Sequence, residues 1–149
     1  MPIEVILTLT LFATASLYAL WRGGPPERFA AKVIIVWMMV DLSYHLIFGL
    51  SGFVEVDPAH LLIDGLELAA LIFLALHANR VWPVWAAAAQ LMTFSAHVVA
   101  LIDEGGMRRA YWAMMQLPLY IQLLALACGA AFHYRRFRRI GPYRSWRLS

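Results

Sequence analysis

Five long apolar segments carry almost all of this chain, and short breaks rich in Gly, Pro and charge separate them. The apolar runs are continuous and do not show the period-two alternation of a half-buried strand. Each has about the 20 residues that a helix needs to cross hydrocarbon. They predict helices over 3–21, 30–49, 61–78, 83–102 and 110–133, with a basic tail over 134–149. The implied fold class is an all-α integral membrane protein, a single membrane domain over 1–149 built as a bundle of five transmembrane helices. Strands are not expected, because in lipid only helices and closed barrels satisfy the backbone.

Composition agrees. The 149 residues are 62% hydrophobic and 14% charged, with a mean hydropathy of +0.68. An ordinary soluble domain does not look like this. The first segment lacks the basic n-region of a cleaved signal, since Glu4 precedes it and no Lys or Arg does. Ala-Thr-Ala at 13–15 resembles a cleavage site, but such triplets are common in Ala-rich helices, so the segment is read as a helix. Cys128 is the single cysteine, which excludes an internal disulfide and a cysteine metal cluster.

The basic residues set an orientation. Arg22, Arg28, Lys32, Arg80 and the six arginines from Arg135 to Arg147 fall on one side, ten of the twelve Lys and Arg. The positive-inside rule then places the N-terminus outside and the C-terminus in the cytoplasm. The pI near 9.4 follows from these arginines and reads as topology signalling, not nucleic-acid binding. Eleven Arg to one Lys, with abundant Ala, suggests a GC-rich bacterial genome, hence an inner membrane.

Punctuation is sharp. Gly-Gly-Pro-Pro at 23–26 breaks the chain after the first helix. Asp57 and Pro58 suit the N-cap and first position of helix three. Pro118 lies inside helix five, where it is expected to kink the helix and open space beside it.

The polar residues inside the helices carry the chemistry. Asp41 and His45 are four apart on helix two, so they share a face. His60, Asp64 and Glu67 line one face of helix three. Gln90 and His97 are seven apart on helix four, and Trp112, Gln116 and Tyr120 form a stripe on helix five. At about 1.5 Å rise per residue, His45, Asp64, Glu67, His97 and Gln116 come to one level in the outer half of the membrane. Such groups face one another or water, not lipid. His60, Asp103 and Glu104 read as interfacial. His77 and His133 read as capping or snorkelling groups at helix ends, and Gln90 as a bridge between helices.

A buried Glu can donate a proton and a neighbouring His can accept or relay one, which is what a double-bond shift in an apolar substrate requires. Glu67 is the expected acid, with His45 and Asp41 as base or relay. Trp37, Asp64, His97, Trp112, Gln116 and Tyr120 are the expected ligand-binding residues. His45, Glu67 and His97 are also types that ligate iron, copper or zinc, and two His could bracket a haem. No E-x-x-H or H-x-x-x-H spacing supports that, and no metal or cofactor is assigned. A third option is a non-catalytic subunit of a membrane complex.

Helices two to five resemble the EXPERA group, which includes the emopamil-binding sterol isomerases and the sigma-2 receptor. The likeness rests on WMMVDLSYH ending at His45, on DGLELAAL around Glu67, on ANRVWPVWAAAAQLMTFSAHVVALIDEGG and on YWAMMQLPLYIQLLAL. It covers roughly 25–130. It implies a five-helix bundle with a cytoplasmic C-terminus, a sterol-like or prenyl lipid as ligand, and His45 and Glu67 as site residues. The second helix-two acid of the sterol isomerase falls at Gly49 here, where Asp41 is the substitute, and its helix-five Asn–Trp pair is met by Gln116 and Tyr120. The expected partners are a lipid or other apolar small molecule, the bilayer and a second copy in a homodimer.

Overall fold

The computed structural model describes residues 3–49, 58–102 and 108–147, apart from the side chains of 100–102 and 108–112. Five helices run α1 Ile3–Arg22, α2 Pro25–Phe48, α3 Pro58–His77, α4 Trp82–Ile102 and α5 Arg108–Ile140. The described residues form no β-strand beyond a single bridge between Ala78 and Trp146. Each helix packs on its neighbours in sequence, α5 closes the ring against α1, and α2 also touches α5.

The outer face is apolar. Leu46 is 78% exposed, and Leu17, Trp21, Ile47, Leu62, Leu66 and Leu124 are also open. A monomer does not expose so much apolar side chain to water. Four helices, α1, α2, α3 and Ala113–Ile140 of α5, are long and apolar enough to cross a membrane. Polar α4, with Gln90, Thr93, Ser95 and His97, lies between α3 and α5.

Small residues let the helices approach closely. Ala15 and Ala19 of α1, Ala30 and Ala31 of α2, Ala86 and Ala87 of α4 and Ala130 of α5 are buried. Ile34, Leu71, Leu74, Leu123 and Leu126 fill the space between them.

Three boundaries differ from the sequence expectation by three residues or more, each for a local reason. α2 starts at Pro25, not at 30, because Pro fits the first helical turn and Glu27 caps it. The Gly24 N–H donates to Glu27 Oε2 at 3.0 Å. α3 begins at Pro58 instead of 61; Asp57, its expected cap, lies outside the described residues. The basic tail expected from 134 is helical up to Ile140. Arg138 and Arg139 in the last turn suit the negative end of the helix dipole. Gly141 at φ +77 then ends the helix, ahead of Pro142. Pro118 is accommodated within α5, which runs as one helix from 108 to 140.

Beyond Gly141 the chain folds back. Asn79 N–H donates to Ser145 O at 2.9 Å and Arg147 N–H to His77 O at 2.8 Å. Residues 141–147 therefore clasp the turn between α3 and α4.

Candidate functional site

At the arginine-rich end, a buried acid ties three segments together. Glu27 is 0% exposed. Its Oε1 accepts from Trp82 Nε1 at 2.9 Å and from Arg80 Nε at 3.2 Å, while Oε2 accepts the Gly24 N–H. Every oxygen is satisfied, so this carboxylate is structural. The Arg80 guanidinium also lies over the Tyr143 ring and donates to His133 Nδ1 at 3.3 Å. Burial pushes the Tyr143 phenol above its ordinary value. His133 fits against Gly24, where a Cβ would come within 2.7 Å of the ring. His77 Nδ1 donates to Phe73 O at 2.8 Å, one turn back on α3. Glu27 and its partners were not among the expected groups.

Toward the middle of the bundle, Asp64 organises a second network. Its Oδ1 accepts from Trp37 Nε1 at 2.9 Å and Gln90 Nε2 at 3.2 Å, and its Oδ2 accepts from His97 Nε2 at 2.7 Å. Gln122 Nε2 donates to Gln90 Oε1 at 2.6 Å. Asp64, His97, Gln90 and Gln122 are all buried. Of the five residues expected at one level, Asp64 and His97 meet here, and α5 contributes Gln122, not Gln116. Gln116 is half-buried and bonds to no described residue. Tyr120 turns to the first helix, where its hydroxyl meets Thr8 Oγ1 at 2.6 Å. The helix around Trp112 is described, but its side chain is not.

Glu67 lies one turn along α3 from Asp64 and is 4% exposed. Among the described residues neither of its oxygens has a hydrogen-bond partner. It lines a cleft of about 380 Å³ between α2 and α3, whose wall includes Phe29, Val33, Val36, Trp37 and Leu66 together with Lys32. Val36 and Leu66 are also exposed on the outer face, so the cleft opens sideways. Glu67 is thus the opposite of Glu27: an acid buried without a protein partner, beside open apolar space. Such a group is costly unless something supplies a donor.

His45 and Asp41 do not bond to Glu67. They meet His60, which sequence position alone had set aside as interfacial. Asp41 Oδ1 lies 3.2 Å from His60 Nε2 and 3.7 Å from His45 Nε2, and the two Nε2 atoms are 3.3 Å apart. His45, Glu67 and His97, the ligand set weighed from sequence, are not gathered, since His97 is held by Asp64. These polar residues resolve into three groups: the Asp64 network, the Glu67 cleft, which shares Trp37 with it, and the Asp41–His45–His60 triangle. Compared with family models, characterised proteins and solved structures, the chain matches none.

Proposed function

We propose that the protein is an integral membrane protein that binds an apolar lipid in the α2–α3 cleft. The observation that carries this reading is Glu67: a buried carboxyl without a hydrogen-bond partner among the described residues, lining an apolar cleft of about 380 Å³ that opens sideways. A ligand with one hydroxyl or ammonium among rings or isoprene units would meet that carboxyl and fill the rest of the slot with hydrocarbon. The apolar walls favour such a body through area removed from water. Trp37 supports the ligand on one side, held in place by its bond to Asp64.

Glu67 is also placed to donate a proton to an alkene carbon, the first step of an acid-catalysed double-bond shift. The resemblance of helices two to five to the EXPERA group supports the same class of ligand, a polycyclic or prenyl lipid. All five helices are taken to span a bacterial inner membrane, α4 enclosed by its neighbours, with the arginine-rich end in the cytoplasm and the N-terminus outside.

Native mass spectrometry of gently purified protein tests the reading. The wild type is expected to retain a lipid, and Glu67→Gln to insert and purify normally but lose it. Equal lipid retention by the variant would rule out Glu67 as the anchoring group.

A further inference from the structure

We propose that Asp41, His45 and His60 form a zinc site that joins the C-terminal end of α2 to the N-terminal end of α3. The three candidate ligand atoms are separated by 3.2, 3.3 and 3.7 Å. Zinc–ligand bonds of about 2.0–2.1 Å at tetrahedral angles put ligand atoms roughly 3.3–3.4 Å apart. The triangle already has nearly that size. Two imidazoles and one carboxylate are also a donor set that suits a first-row divalent cation.

His45 Nδ1 lies 3.3 Å from Gly49 O, so this nitrogen is the one that donates to the carbonyl. Its Nε2 then carries a lone pair. That lone pair and Asp41 Oδ1 both face one proton, on His60 Nε2. A cation in place of the proton satisfies all three atoms at once. The bond from the far ring nitrogen to a backbone carbonyl is the arrangement that orients metal-bound imidazoles. Gly49 makes it available: at φ +84 it ends α2, with its own N–H donating to His45 O at 3.0 Å. Tyr44 packs edge-on against the His60 ring at 4.9 Å between centroids, which fixes that ring in turn.

The three side chains are 13–25% exposed, so an ion can reach them from water. Among the described residues no other group of His, Cys, Asp and Glu is gathered this closely. With three protein ligands, the fourth tetrahedral position is left to water. Among the described residues the site shares no hydrogen bond with Glu67.

The test is a titration of EDTA-treated, detergent-purified protein with Zn²⁺ against a chromophoric chelator. One equivalent is expected per chain, and Co²⁺ in its place should give the intense visible bands of a four-coordinate ion. His45→Ala and His60→Ala should each weaken Zn²⁺ by more than about 100-fold, beyond the loss caused by removing an outer-shell partner. His77→Ala should bind as the wild type does. His60→Cys should retain Zn²⁺ and add a thiolate-to-Co²⁺ charge-transfer band, a positive signal that a merely misfolded variant does not give. Absence of stoichiometric uptake by the wild type would overturn the proposal. So would unchanged affinity in His45→Ala and His60→Ala.

Discussion

The Trp82 indole occupies the space that a side chain at Gly129 would need: a Cβ there would lie 2.5 Å from both Cδ1 and Nε1 of the ring. The same Nε1 donates to the buried Glu27. Packing between α4 and α5 therefore sets the geometry of a hydrogen bond to α2. Gly129→Ala should displace the ring and lengthen that bond. Overpacking of this kind costs about 1–3 kcal/mol. Thermal unfolding in detergent should show the loss, while lipid retention at the distant Glu67 cleft stays at the wild-type level.

Glu27 itself should matter more. Glu27→Ala leaves the Arg80 guanidinium and the Trp82 and Gly24 N–H groups without their acceptor. Breaking a buried charge pair from one side costs about 3–5 kcal/mol. Glu27→Gln keeps an oxygen for one donor and should fall between the two. A ranking of wild type, Gln and Ala by unfolding midpoint checks this. An Ala variant as stable as the wild type would remove Glu27 as the tie between the segments.

Asp64→Ala removes the carboxylate that accepts from Trp37 and His97, and leaves Gln90 Nε2 with only the Asp64 backbone O at 3.3 Å. Each unsatisfied buried group costs about 1–3 kcal/mol. Trp37 also walls the Glu67 cleft, so this variant should lose stability and ligand together. Glu67→Gln, by contrast, should lose only the ligand. Measuring both properties on both variants separates scaffold from contact.

Tyr120→Phe removes one hydroxyl bond between α5 and α1. The expected cost is about 0.5–1.5 kcal/mol, with no change in lipid retention, because Tyr120 bonds away from the cleft. Loss of the lipid in this variant would restore Tyr120 to the site where its spacing on helix five had put it.

Truncation after Ile140 removes Ser145 and Tyr143, which cover Arg80. Trypsin should then cut after Arg80 several-fold faster than in the full chain, as read by mass spectrometry of the fragments.

The helices and the depth of Asp64, Glu67 and His97 were readable because apolar length and rise per residue are fixed by backbone geometry. The rotation of each helix about its axis is not fixed in this way. On α5 both Gln116 and Gln122 are plausible inward residues, and only packing shows that Gln122 is the one that meets Gln90. Glu27 escaped notice because Pro-Pro-Glu-Arg at a helix start looks like a solvated loop end, while the partners that bury it stand 53 and 55 residues away. His60 was set aside for the same reason. Its place near the start of α3 implies an interface, but the residue that meets its Nε2 belongs to α2, across a connection that local pattern cannot fold.

The clasp of 141–147 over the turn at Ala78 and Asn79 also has a meaning in time. These residues are synthesised after all five helices. The bonds of this segment to His77 and Asn79 are therefore the last of that end to form, set by the completion of the chain and not by the hydrophobicity of any helix.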